Sequence, residues 1–245
     1  MQNEERHMTG MNRRQFLASA ASAAGVMIVP RRVLGGPGYI APSDKLNIAG
    51  IGCGGQGGGD LSRMAEENIV ALCDADWDRA ARTFAKYPDV PRYKDFRVML
   101  EKQAKDIDAV VVGTPDHFHA VAAMAAIQLG KHVFVEKPLT HNIHEARRLR
   151  AAAREAKVAT QMGNHGHAME SIRILCEWIW DGAIGQVTEV QAWSPHPVWP
   201  QGMGRPADAP SIPETLDWDV WLGPAPERPY HPAYLPQRWR GWLDF

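Results

Sequence analysis

From Lys45 onward the sequence predicts a doubly wound α/β domain built on a parallel (Rossmann) sheet, and three observations carry that expectation. Apolar runs recur without polar alternation. Helical patterns of about twelve residues separate them, the texture of strands buried on both faces. A glycine cluster sits between the first run and the first helix. In chain order, Leu46–Ile51 reads as a short strand and "DLSRMAEE" (60–67) as the helix after the glycines. "NIVALCDAD" (68–76) is the next strand and "WDRAARTFAKY" (77–87) the next helix. "DAVVVGTP" (108–115) is a third strand, and "HAVAAMAAIQLG" (119–130) its helix, with Gly130 as the stop. "HVFVEKP" (132–138) is the fourth strand. The helix "NIHEARRLRAAAREAK" opens with Asn142 as N-cap and Glu145 three residues on, a capping box. "VATQMG" (158–163) is a further strand.

After Gly163 the texture changes. "SIRILCEWIWDGAIG" is one more amphipathic helix, and "QVTEVQAW" (186–193) alternates like a half-buried strand. From Pro195 to Phe245 proline and tryptophan are frequent, which argues against central strands. One strand with a long irregular tail cannot cover both its faces, so this stretch reads as the start of an α+β domain whose remainder is missing. The expected organisation is a signal region over 1–36, a dinucleotide-binding domain over 37–165 and a partial substrate domain over 166–245.

The signal region rests on Arg13 and Arg14 followed by Gln-Phe-Leu and an Ala-rich apolar run, Phe16 to Val29. That run is short for a membrane span and fits the apolar core of a secretory signal. The paired arginines resemble the twin-arginine export signal, which implies a periplasmic or otherwise exported product. A frayed amphipathic tail is the alternative. The mature chain is expected to have no integral membrane span. Charges nearly cancel, 27 basic against 28 acidic, with no basic stripe, so nucleic acid is not an expected partner. Cys53, Cys73 and Cys176 have neither metal spacing nor even pairing and read as small buried hydrophobes.

In "IAGIGCGGQGGGD", Gly52-x-Gly54-x-x-Gly57 begins where the first strand ends, and an overlapping register starts at Gly50. Glycines at this spacing allow a tight turn, backbone approach to a pyrophosphate and close helix–strand packing. The following helix N-terminus offers oriented N–H groups to phosphates. Asp74, at the end of the second strand, would bond the ribose hydroxyls and disfavour a 2′-phosphate, so NAD is expected, with NADP possible. Asp76 is an alternative for that role.

With this fingerprint, "TPDHFHA" and "EKPLT" in order, the chain resembles the Gfo/Idh/MocA oxidoreductase family over nearly all of Lys45–Phe245. "EKP" after the fifth strand is the most telling of these motifs. The export signal and "QMGNHGHA" resemble the exported, sugar-acting branch, which includes glucose–fructose oxidoreductase-like proteins and NAD-dependent glycosidases. The resemblance implies an open antiparallel sheet in the second domain, able to pair into a homo-oligomer, and later catalytic Asp and His residues that this chain does not contain. It implies that Thr114, Pro115 and His119 contact the cofactor's ribose or nicotinamide half; a packed loop histidine is the other reading of His119.

Lys137 falls just past a strand end on the ligand edge of the sheet, and Pro138 restricts its backbone. If burial and a cationic nicotinamide lower its pKa, it can take the hydroxyl proton of a carbohydrate substrate, with Glu136 orienting it or the nicotinamide. Asn164 and His165 follow the last strand and are candidates for sugar-hydroxyl contacts. The His117/His119 and His165/His167 pairs have metal-compatible spacing without a supporting cluster, so no metal is expected. Trp193, Trp199, Trp218 and Trp221 read as core anchors or sugar-stacking surfaces. Together these point to an NAD(P)-dependent oxidoreductase acting on a sugar, sugar derivative or cyclitol. The alternatives are an NAD-dependent glycosidase that oxidises transiently and eliminates, or a fragment that only binds nucleotide.

Overall fold

The computed structural model describes residues 40–195 and 199–245, so the expected signal region 1–36 lies outside the described residues. Each apolar run becomes a strand: β1 (Asn47–Ile51), β2 (Asn68–Cys73), β4 (Ala109–Val112), β5 (His132–Glu136) and β6 (Thr160–Gly163). The two-residue β3 (Arg92–Tyr93) was not legible as a strand, because so short a segment shows no periodicity. It makes the "EKP" strand the fifth. The sheet order is β3-β2-β1-β4-β5-β6 with every neighbour parallel. This is the doubly wound order, which reverses direction between β1 and β4.

Alternation along the strands serves two apolar layers. Ala49, Ile51, Val110, Val112, Val133 and Val135 face one layer. There they meet α3 (Phe96–Gln103), α4 (His119–Gln128) and α5 (Ile143–Ala156). Ile48, Leu72 and Val111 face the other, under Leu61 of α1 (Gln56–Arg63) and Phe84 of α2 (Trp77–Lys86). A core leucine such as Leu61 contributes about 2–5 kcal/mol by comparison with alanine. The helix ends follow local chemistry. Asn142 accepts from Glu145 N at 3.0 Å and Glu145 accepts from Asn142 N at 3.3 Å, completing the capping box. Gly130 takes φ +71° just past α4. Cys53 and Cys73 are buried, and burial pushes both thiols well up.

Lys45–Phe245 forms one compact unit. Beyond β6 come the single-turn α6 (His165–Ala168), α7 (Glu170–Trp180) and the short α8 (Trp218–Leu222). The strand expected over 186–193 is absent, and Val187, Val190 and Trp193 are exposed. A half-buried strand needs a neighbour for its backbone and its apolar side, and no described strand pairs with it. The helix expected before it does form, but Leu175, Trp178 and Trp180 on it are also exposed.

The last thirty residues are held instead by an aromatic cluster of Trp218, Trp221, Tyr234, Trp239 and Phe245 with Leu216 and Leu222. Trp218 and Trp221 stack at 4.9 Å, and the Trp218 indole N–H donates to the Arg228 carbonyl at 2.8 Å. The buried Arg228 guanidinium bonds Asp244 and lies 4.8 Å over Phe245. The cluster docks on the sheet domain through a bridge between Asp76 and Leu216 and through Asp217 N donating to the Ala75 carbonyl at 2.8 Å. His117 is buried beneath it, 3.2 Å from the Trp221 carbonyl, and burial lowers its imidazole to about 4. No helix among the described residues is long and apolar enough to cross a membrane.

Candidate functional site

A cleft of about 500 Å³ opens at the carboxyl ends of β1, β4 and β5, where the strand order reverses. This is where open α/β sheets bind ligands. Gly52 leaves β1 with φ +79°, and a Cβ there would come within 2.5 Å of the Thr114 backbone N. Gly57 lies in the first turn of α1, where a Cβ would overlap the Gly52 carbonyl oxygen and reach 3.2 Å from Gly113 Cα. Gly54 lies against Arg79, whose Cγ would be 2.5 Å from an added Cβ. Gly50, which starts the overlapping register, is inside β1 and paired with Leu72.

Asp74 is half-buried at the floor. It accepts from Gly54 N and Asp76 N, each at 2.9 Å, and burial raises it to about 6 despite those bonds. Asp76 instead caps α2, accepting from Asp78 N and Arg79 N at 3.2 Å. That leaves Asp74 as the acid at the glycine loop.

Thr114 and Pro115 line the cleft, and the Thr114 hydroxyl is buried with no hydrogen-bond partner. His119 also borders it, but both its ring nitrogens are engaged. Nε2 is 2.8 Å from the Thr114 carbonyl and Nδ1 is 2.6 Å from the Pro138 carbonyl. A carbonyl only accepts, so whichever ring nitrogen carries the N–H donates to one of them, and His119 sits wedged between the loop after β4 and the loop after β5. The rings of His117 and His119 turn to separate carbonyls, those of Trp221 and of Thr114 and Pro138.

At the other end of the cleft, Lys137 is exposed, so the burial invoked to lower its pKa is not met here. Its peptide bond to Pro138 is cis. Glu136 does not hold the lysine's ammonium. Its Oε2 accepts from Lys137's backbone N at 3.1 Å, and its Oε1 accepts from His165 Nε2 at 2.5 Å and Gln56 Nε2 at 3.3 Å. Behind it stands the buried Asp60 of α1, whose Oδ1 accepts from the same Gln56 amide at 3.0 Å and from Arg63 at 2.9 Å. Burial and then the charge of Glu136 raise Asp60. Burial also acts to raise Glu136, but the hydrogen bonds from His165 and from Lys137 N outweigh it and leave Glu136 lowered. The two carboxyls are thus pushed in opposite directions, Asp60 up and Glu136 down. Gly163 makes room for the arrangement, since a Cβ there would lie 2.7 Å from Glu136 Oε1.

Of the residues singled out in the sequence, Gly52, Gly54, Asp74, Thr114, Pro115, His119, Glu136, Lys137 and His165 border one cleft. Gly57 serves the packing behind it. Asn164 does not border it; its side chain accepts from Gln161 Nε2 at 3.4 Å. Sequence reasoning missed Gln56 and Asp60, which read as ordinary helix residues. It also missed Trp239 and Arg240, which reach the cleft from the chain's far end, with Arg240 4.0 Å over the Trp239 ring.

Residues 46–164 match the model of the oxidoreductase family with NAD-binding Rossmann fold, and residues 184–245 match its C-terminal alpha/beta domain. The chain belongs to the Gfo/Idh/MocA oxidoreductase family. Its sheet domain is an NAD-binding Rossmann domain. Among similar curated proteins is a glycosyl hydrolase family 109 protein of Shewanella pealeana, 28% identical over 74% of this chain and 45% of that protein. Another is the levoglucosan dehydrogenase of Pseudarthrobacter phenanthrenivorans, 27% identical over 51% of this chain and 33% of that protein. The chain spans less than half the length of these relatives. A 3-ketoreductase from Actinomadura kijaniata, solved with TDP-benzene and NADP, matches with a TM-score of 0.52 at 29% identity, covering 58% of this chain and 45% of that one.

Proposed function

We propose that this chain is part of an exported NAD(P)-dependent oxidoreductase that acts on a hydroxyl of a sugar, sugar derivative or cyclitol. The observation that carries the reading is the convergence, on one cleft, of the glycine turn, half-buried Asp74 and the Glu136–Lys137 pair. The protein's own geometry fits a dinucleotide. The Gly54 backbone presses against Arg79, leaving no space for a side chain, and the Thr114 hydroxyl is buried at the cleft without a partner. Gly52, Gly54 and the first N–H groups of α1 would hold the pyrophosphate, and Asp74 the adenosine ribose. Bound, the dinucleotide supplies the two-electron acceptor or donor. Asp74 in its charged form disfavours a 2′-phosphate, which makes NAD the preferred partner. Thr114 and Pro115 border the end of the cleft where Lys137 stands, and Lys137 contacts the reacting hydroxyl and takes part in its proton transfer. Its exposed ammonium can reach a substrate while Glu136 holds its backbone.

Sugar chemistry is supported by the names of the relatives, levoglucosan dehydrogenase among them. Export is supported by Arg13, Arg14 and the apolar run after them. Replacing both arginines by lysine is expected to leave the product in the cytoplasm on fractionation; unchanged export would remove this part. The test of activity is NADH formation at 340 nm with a panel of free sugars and cyclitols. Lys137→Ala is expected to lower turnover about 100-fold or more, the usual scale for a proton-transfer group. Full turnover in that variant would sink the assignment.

The similarity to a glycosyl hydrolase family 109 protein over 74% of the chain favours a second reading, a glycosidase using transient oxidation. Release of an aglycone from a glycoside with no net NADH would select it. That route departs from paired-carboxylate hydrolysis.

A further inference from the structure

We propose that His165 is a catalytic base of this cleft, held in its proton-accepting form by Glu136, with Asp60 as a second, positioning carboxylate. The inference rests on the oxidoreductase reading above. His165 borders the cleft on α6, and its side chain is 42% exposed. Its Nε2 lies 2.5 Å from Glu136 Oε1 and 3.8 Å from Asp60 Oδ1. A carboxylate can only accept from this nitrogen, so the ring's proton is on Nε2 and the Nδ1 lone pair is left bare. A carboxylate behind a histidine acts in this way in general base catalysis, fixing the tautomer and stabilising the imidazolium that forms.

The surroundings are built for this. Glu136 and Asp60 are both nearly excluded from water, and Gln56 donates to one oxygen of each, fixing their spacing. The second oxygen of Asp60 is buried without a hydrogen-bond partner. Phe134 flanks the His165 ring at 6.1 Å. The ionisable groups facing this ring are Asp60 from α1 and Glu136 from β5, and Arg63 reaches it only through Asp60.

In the oxidative direction the substrate O–H bond breaks and an N–H bond forms at His165 Nδ1. A bound oxidised nicotinamide dinucleotide would be the two-electron acceptor for the hydride that leaves the substrate carbon. The new imidazolium is neutralised by Glu136. Lys137, the exposed residue after Glu136 at the same end of the cleft, supplies the positive charge that eases ionisation of the hydroxyl. The carboxylate–histidine pair thus does what exposed Lys137 is poorly placed to do by itself.

The test has a spectroscopic and a kinetic arm on the full chain. With nitrogen-15 histidine labelling, unmodified protein is expected to show neutral His165 protonated at Nε2, and Glu136→Ala is expected to abolish that preference. In turnover with NAD and a responsive polyol, His165→Asn is expected to lower kcat at least 100-fold while NAD affinity stays within twofold. His165→Gln serves as a second variant if the first is poorly folded. Three results would overturn the proposal: an Nδ1-protonated His165, turnover of the His165 variants within threefold of the unmodified chain, or stoichiometric Mn²⁺ broadening the His165 signals, which would make the cluster a metal site. An Nε2-protonated His165 in a chain with no turnover on any polyol would break the oxidoreductase reading and with it the catalytic role, leaving only the His165–Glu136 pairing.

Discussion

The sheet domain and the stretch that follows it are stabilised by different means. From Asn47 to Gly163, apolar periodicity, strand pairing and helix caps agree, each strand has a paired neighbour, and helices cover the central strands. From Glu170 to Trp193 the same kinds of residue form a helix and an extended segment whose apolar side chains stay exposed, Trp180 at 81%. Further on, a cluster of aromatic rings takes over, with no described strand beyond an isolated bridge. Local pattern is sufficient where a neighbour exists to receive it. Where none does, an alternating sequence such as 186–193 has no reason to become a strand.

The sharpest way to break this contrast is Trp218→Ala. It removes the stacked partner of Trp221 and the hydrogen bond to Arg228, and about 3–5 kcal/mol should be lost locally. Limited proteolysis should then cut between Leu216 and Phe245 while the sheet domain resists. Cutting in both regions at equal rates would show that the cluster is not a separate stabilising unit.

Within the sheet domain, Asp74 should make stability depend on pH. Its folded pKa, about 6, is above the ordinary 3.8, so the folded state holds this proton more tightly. The associated stability is fully present below about pH 4 and lost as pH rises through 6. That amounts to up to about 3 kcal/mol for this one group. Urea unfolding between pH 4 and 7 should show this slope, and Asp74→Asn should flatten it. An unchanged slope in the variant would mean that other groups dominate.

A smaller effect is expected from Gly57→Ala. The added methyl meets the Gly52 carbonyl and Gly113, costing about 1–3 kcal/mol by overpacking and weakening NAD binding together. Thermal melts paired with NAD titration would separate the two. The smallest is Trp180→Ser on the exposed helix, which should change stability by no more than about 0.5 kcal/mol. A larger loss would show that the α7 face is covered in solution.

The site was legible in proportion to how local its chemistry is. The glycine turn, Asp74 and "EKP" announce themselves because each must sit at a strand end, and strand ends can be read from periodicity. Asp60 and Gln56 gave no signal, since one turn of helix carries them to a glutamate eighty residues away. Glu136 was expected to serve Lys137's side chain and instead serves His165 and the lysine's backbone, a difference of side-chain direction that no spacing reveals. Arg240 and Trp239 are further still from the motifs they join.

The sequence by itself therefore determined the doubly wound sheet, its ligand edge and the residue types placed along that edge. Those follow from period, turn chemistry and the steric needs of glycine, all expressed within a few residues. Only the tertiary structure decided which carboxylates sit side by side, which histidines turn to carbonyl oxygens and which one meets Glu136. Those depend on distances between elements far apart in the chain, and on burial, which exists only once the layers have closed.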